Sequence, residues 1–396
     1  MLGLIADDLT GAGDASVQFA KRGFRTLLSL DSTTLDSWTL DSPDSSLIAV
    51  TTDCRALTNE AAEKLTAEAL IGLMNAGVDR VFLKIDSTMR GSVPGQVAGA
   101  LAAWRTRYRD ARAVVCPAYP AMGRTVQSNR LLVHGEPVER TAFGRDPVTP
   151  VKTSDMAMLL PASAHISIVD AATGADLMAV AASISDAGPT VVAVGSGGLA
   201  DALAATWCAQ PPAHGRGGND IIPKRKHPRI LLQVSSLNPV SHAQVARLKG
   251  AFPDVVVLLP PAERGDSAAV AERLAREFAE QIEREQWDIL GLIGGDGARE
   301  TLAQLGASGI RIVDSLVEGI PLGVLIGGEA DGTPVFTKAG GFGGEDALVR
   351  CVERMKEGRE AARGGQGPQR GSRVGVPDGA PQAEPPSGAK GPREKE

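Results

Sequence analysis

Apolar and polar positions along this chain fall into blocks with two different periods. Short runs rich in branched residues, LGLIA (2–6), SLIAV (46–50), RVFLKI (80–85), AVVCPA (113–118) and TVVAVG (190–195), have the length and composition of buried strands. Between them apolar residues recur three and four apart, and NEAAEKLTAEALIGLMNAG (59–77) predicts a helix with glycine at its stop. Strands alternating with helices predict an α/β protein whose mainly parallel or mixed sheets are flanked by helices.

The pattern breaks once and then resumes. From Ala209 to Pro228 the stretch AQPPAHGRGGNDIIPKRKHP crowds proline, glycine and charge together, which reads as a linker. Beyond it RILLQVSS (229–236) reads as a strand and SAAVAERLAREFAEQIEREQ (267–286) as an amphipathic helix. WDILGLIGGDGARETLAQLG (287–306) and PVFTKAGGFGGEDALVRCVERM (334–355) each read as strand, glycine turn, helix. The expected division is therefore an N-terminal domain over 1–208, a linker over 209–228, a C-terminal domain over 229–358 and a tail over 359–396. That tail has too few apolar residues to offset the entropy of ordering and is expected to be disordered. The polar segment 31–46 reads as a surface connection. A length of 396 residues also favours two cores over one.

Composition narrows the partners. A net charge of -6 and only 4% aromatic residues disfavour nucleic acid, which needs clustered cations and stacking rings. Cys54, Cys116, Cys208 and Cys351 form no C-x-x-C pair, and five scattered histidines complete no zinc spacing. With no leader-like or membrane-spanning run, the expectation is a cytoplasmic protein that binds no membrane.

The chemistry-bearing residues cluster where strands end. IADDLTGAGD (5–14) carries Asp7 and Asp8, TTDCR (51–55) carries Arg55, and KIDSTMRG (84–91) packs Lys84, Asp86, Ser87 and Arg90 together. PAYPAMGRTV (117–126) adds Arg124. Successive parallel strands would bring these clusters to one carboxyl edge, where α/β proteins bind ligands. Arginine and lysine suit a carboxylate, and Asp, Ser and Thr suit hydroxyls, so a polyol or hydroxy acid fits; an ion-paired turn is the plainer reading of each cluster alone.

In the second domain Gly294, Gly295, Asp296 and Gly297, then Gly340, Gly341, Phe342 and Gly343 behind Lys338, form glycine turns ahead of helices. Such turns let a phosphate approach free amides. Ser235, Ser236 and Asn238 either meet a nucleotide or cap a helix. No P-loop signature is present, and Ser16 stands where a dinucleotide fingerprint needs its third glycine. Phosphoryl transfer from a nucleotide joins the two sets of residues most simply.

IADDLTGAGD, KIDSTMRG, PAYPAMGRT, GGDGA and KAGGFGGED together resemble the four-carbon acid sugar kinases, from about residue 2 to residue 355. The resemblance implies ATP-dependent phosphorylation, with Mg²⁺, of the 4-hydroxyl of D-threonate, D-erythronate or 3-oxo-tetronate in an interdomain cleft. It implies that Asp7, Asp8, Arg55, Lys84, Asp86, Ser87 and Arg90 line the sugar-acid side. Ser236 and the turns 294–297 and 340–343, with Lys338, would hold ATP. Two departures stand out: the family usually has Gly-Ser where Ser235 and Ser236 stand, and Thr where Gly297 stands. Asp8 or Asp7 is the expected base, with Asp86 as rival, and Arg55 and Arg90 are the expected clamp on the substrate carboxylate. Asp296 would reach Mg²⁺ or cap its helix. A homo-oligomer is compatible with the pattern. A haloacid-dehalogenase-type phosphatase would need two aspartates one residue apart, whereas Asp7 and Asp8 are adjacent; a non-catalytic sugar-acid sensor would not need two glycine turns.

Overall fold

The computed structural model describes residues 1–30, 46–160, 163–208, 221–222, 225, 227–260 and 267–357. The expected surface connection at 31–46, the linker at 209–228 and the tail from 359 lie wholly or largely outside the described residues.

In the first half the strands are β1 (Leu2–Ala6), β2 (Arg25–Ser29), β3 (Ser46–Thr51), β4 (Arg80–Lys84) and β5 (Arg112–Cys116). A small antiparallel sheet follows, β6 (Arg124–Gln127), β7 (Arg130–Val133) and β8 (Glu136–Pro137), and then β9 (Ile166–Ile168) and β10 (Val191–Gly195). The helices here are α1 (Leu9–Ala20), α2 (Asn59–Asn75), α3 (Val93–Trp104), α4 (Met156–Leu159), α5 (Gly174–Ala187) and α6 (Gly197–Trp207). The second half holds β11 (Ile230–Val234), β12 (Val256–Leu258), β13 (Ile289–Ile293), β14 (Gly309–Val317), β15 (Ile320–Ile326) and β16 (Pro334–Lys338). Its helices are α7 (Pro239–Ala251), α8 (Ser267–Arg284), α9 (Gly295–Gln304) and α10 (Ala347–Glu357).

Both halves contribute to a single sheet, in the order β12-β11-β13-β16-β15-β14-β2-β3-β1-β4-β10-β5-β9. The join is the antiparallel pairing of β14 with β2, Gly309 opposite Ser29 and Ile312 opposite Thr26. From β2 to β9 every pairing is parallel, and so are those among β12, β11, β13 and β16. Antiparallel β15 and β14 stand between the two blocks, so the blocks run in opposite senses. In a flat sheet their carboxyl ends would lie at opposite edges. Native twist is roughly 20–25° per strand step, so the six steps from β1 to β13 accumulate roughly 120–150° and swing those ends toward each other.

Helix α1 shows the result. Ten of its residues are buried, from Leu9 through Phe19, although a surface helix normally buries one stripe. Its small residues let strands of the second half approach closely: a Cβ on Gly13 would lie 2.9 Å from Pro321 Cγ and 3.4 Å from Thr337 Oγ1. Residues Met1–Arg359 accordingly form one unit. Among the described residues no helix is long and apolar enough to cross a membrane.

Candidate active site

Strand β1 ends at Ala6, and the next two residues leave the sheet at its carboxyl edge. Asp8 takes an extended backbone and caps α1, its Oδ1 accepting from the Gly11 amide at 2.6 Å and its Oδ2 from the Thr10 hydroxyl at 3.3 Å. Asp7 is buried, and Arg55, arriving from the loop after β3, donates to both its oxygens at 2.8 Å. The third arm of that guanidinium lies 2.7 Å from Asp8, and Arg55 Nη2 is 4.0 Å from Asp86. Burial lowers the Arg55 pKa, but the charges of Asp7 and Asp8 outweigh it and hold the guanidinium well above its ordinary value.

Asp86 follows β4 and accepts from the Thr88 amide at 2.9 Å, the Thr88 hydroxyl, and Arg90 Nε and Nη2 at 3.2 and 2.7 Å. Burial alone would raise its carboxyl; Arg90, Arg55 and the hydrogen bonds reverse that and hold it far below the usual carboxylate range. Arg90 also reaches Asp146 at 3.1 Å and sits over the Phe143 ring. Asp7, Asp8, Asp86, Arg55 and Arg90, expected as base and clamp, are thus engaged with one another. The reason is physical: charges at a buried edge are costly unless paired.

Arg124 differs. Its guanidinium donates to the Met122 carbonyl and packs 5.7 Å from the Phe143 ring centroid, and its buried Nε has no partner. Burial, only partly offset by Asp86, lowers its pKa. Lys84 is 5% exposed and donates to the Ile85 carbonyl at 3.2 Å, while half-buried Ser87 makes no hydrogen bond among the described residues. Beside this cluster, and touching it only through Arg55, lies an open cavity of about 650 Å³ that Thr58, Gly91, Ser92 and Lys152 also line.

In the second half the turn after β13 begins at Gly294, whose φ of 107° suits glycine. No side chain caps α9, so its first amides carry no side-chain acceptor among the described residues. A Cβ added at Gly295 would meet nothing within 4 Å, whereas one at Gly297 would run into the Ser235 side chain. Asp296 is exposed beside this turn. Ser236 Oγ accepts from the Asn238 amide at 3.2 Å and lies where a Cβ on Gly340 would go.

Lys338, expected to contact phosphate, is 0% exposed and has a different task. Its ammonium donates to the carbonyls of Ala339, Gly340 and Phe342 at 2.8, 3.1 and 2.9 Å, so all three protons hold the 340–343 turn from inside. Burial lowers its pKa to about 8. Gln244 supports the same turn, donating to Phe342 and Gly344 at 3.0 and 2.8 Å. Gln244, Asp146, Phe143 and Tyr119 escaped the sequence reading. Only Asp146 left a local trace, in DPVT: its Oδ1 accepts from the amides of Val148 and Thr149 at 3.0 and 2.9 Å, an Asx turn.

The halves touch near both sets of residues. Arg299, on α9 just past the glycine turn, pairs with Asp53, two residues before Arg55. Tyr119 donates to Glu318 of the β14–β15 hairpin at 3.2 Å, and Lys21 lies 3.6 Å from the same carboxylate.

Comparison with known proteins agrees with this division of labour. The sequence model of a sugar-binding N-terminal domain matches residues 2–167, and that of a nucleotide-binding C-terminal domain matches residues 260–348. The chain is 35% identical to a D-threonate kinase of Bordetella bronchiseptica, covering 90% of this chain and 98% of the relative. It is 28% identical to a D-erythronate kinase of Heliobacterium modesticaldum, covering 89% and 96%. The crystal structure of a putative tRNA synthase from Salmonella typhimurium shares the fold, with a TM-score of 0.68 at 19% identity over 88% of this chain and 98% of that one. Similar to a kinase of known substrate over nine-tenths of its length, the chain belongs to the four-carbon acid sugar kinase family, phosphotransferases of four-carbon sugar acids.

Proposed function

We propose that the protein transfers the γ-phosphoryl group of ATP to the 4-hydroxyl of a four-carbon sugar acid, D-threonate first among them, in the cleft between its halves. The observation that supports this most is the pairing of two unlike sites across α1: an edge of charged side chains and a pair of bare glycine turns. D-threonate comes first because the 35% identical relative is a D-threonate kinase.

On this reading Arg124, with its spare donor, receives the substrate carboxylate, and Ser87 and Lys84 meet its hydroxyls. Asp7, Asp8 and Asp86 fix Arg55 and Arg90, so the edge is built before the substrate arrives. Amides of the 294–297 and 340–343 turns cradle the phosphates, with Gly295 allowing the closest approach. Exposed Asp296 suits Mg²⁺, which binds through one or two carboxylates plus phosphate oxygens. Bound there, the ion would neutralise charge on the phosphates.

The test is ADP release on mixing the protein, ATP and Mg²⁺ with D-threonate, L-threonate, D-erythronate and 3-oxo-tetronate in turn. D-threonate is expected to give the highest kcat/KM. Silence across the whole panel would overturn the proposal.

A further inference from the structure

Transfer to a hydroxyl needs an acceptor for its proton, and an acceptor needs an oxygen that no protein donor already holds. Along the carboxyl edge most acids fail that requirement. Asp7, Asp8 and Asp86 accept from arginines and amides, Asp146 from Arg90 and two amides, Asp53 pairs with Arg299, and Glu318 accepts from Tyr119. The Oδ1 of Asp14 is buried without a partner, and no hydrogen bond or close ion pair reaches its carboxylate among the described residues. Asp53 Oδ2 also lacks a hydrogen-bond donor but lies against the Arg299 guanidinium, whereas Asp14 has neither donor nor cation against it.

From this geometry we propose that Asp14 is the general base that takes the proton of the attacking hydroxyl, an inference that rests on the kinase reading above. Asp14 lies on α1 six residues beyond Asp8 and is the one charged residue in that helix. Its Oδ2 occupies space beside Gly197 at the start of α6: a Cβ there would lie 2.6 Å from Oδ2 and 3.0 Å from Tyr119 Cε1. The backbone of Tyr119 pairs with that of Arg124, at 2.8 and 3.1 Å, so Arg124 and Asp14 share Tyr119 as a neighbour. Its neighbour Gly13 abuts Pro321 and Thr337, the latter one residue before Lys338, so the nucleotide half begins on the other side.

Four charged residues act on Asp14. Lys84 at the end of β4 and Lys21 at the end of α1 favour its ionised form; Glu318 of the hairpin and Asp8 oppose it. Burial dominates and raises the carboxyl above its ordinary value, which brings it closer to the working range of a base near neutral pH. In the step itself the 4-hydroxyl oxygen bonds to the γ-phosphorus as the bond from that phosphorus to the bridging oxygen breaks. ADP leaves with that electron pair. The hydroxyl proton passes to Asp14 and then to water as product departs.

The experiment compares wild type, Asp14→Asn and Asp14→Glu on the sugar acid that the wild type turns over. Asp14→Asn is expected to lower kcat by roughly 10²–10⁴-fold, with both KM values near wild type. The acid limb of its kcat/KM profile should vanish, because a raised carboxyl that must be ionised loses function as pH falls through its pKa. Asp14→Glu should restore part of the rate together with the acid limb. Asn has the same shape and no charge to bury, so this variant should melt no lower than wild type. A kcat within threefold of wild type, an unchanged acid limb, or a fall in melting temperature with both KM values raised would each overturn the assignment while leaving the kinase reading intact. Absence of ADP from wild type itself would overturn the kinase reading and this inference together.

Discussion

At the ends of β1, β3 and β4 the chain presents carboxylates and guanidinium groups, each fixed by another side chain. At the ends of β13 and β16 it presents glycine amides, and Lys338, the cation nearest the turn, faces inward onto carbonyls. The first site is defined by which side chains are present, the second by where side chains are missing. Sugar acids differ in where their hydroxyls point, and side-chain groups read that. A polyphosphate presents anionic oxygens along its whole length, and backbone dipoles suffice for it. The two sites should therefore break under opposite kinds of substitution.

The largest effect belongs to the charged edge. Arg55→Met would leave Asp7 buried and unpaired, and removing one partner of a buried pair costs about 3–5 kcal/mol. Urea unfolding measures this; a loss under about 1 kcal/mol, as for an exposed pair, would mean that the cluster does not depend on Arg55. A matched pair of variants sharpens the contrast next. Arg124→Gln should raise KM for the sugar acid roughly tenfold, about 1.4 kcal/mol, and leave KM for ATP alone. Gly295→Ala should do the reverse. Because the added methyl meets nothing in the protein, the Gly295→Ala melting temperature should hold. If both variants move both KM values, the division between side-chain and backbone recognition fails.

A pH slope tests the inward-facing lysine. Lys338 titrates at about 8 when folded against 10.5 for an ordinary lysine, so between these values the unfolded chain binds the extra proton. Its contribution to stability therefore rises as pH climbs from about 8 to 10.5, by at most about 1.4 kcal/mol per pH unit. Unfolding free energies across that range should show the rise in wild type and not in Lys338→Met.

The strand ends that carry the charged clusters were legible, because LGLIA is buried throughout and RVFLK from Val81 onward, and both runs give way to polar residues. The joining of both halves into one sheet was not. It rests on RTLLS (25–29), a short run with an exposed start, pairing with a segment some 280 residues away, and no local period encodes that. Pairing was hidden for the same reason. Arg55 and Asp7 are 48 residues apart and Arg90 and Asp146 are 56 apart, so their mutual engagement emerges only with the fold. Lys338 before a glycine turn reads as a phosphate ligand, and only its burial shows the inward direction. Asp14 did leave a signal, as a lone charge in LTGAGDASVQFA, but a charge in a helix reads as solvent-facing until a second layer is known to cover it.

The contact between Ser235 and Gly297 carries a further consequence. The Ser235 side chain fills the space a side chain at 297 would enter, so the two positions cannot vary independently. A threonine at 297 alone would collide with Ser235, whereas a glycine at 235 would first make room for it.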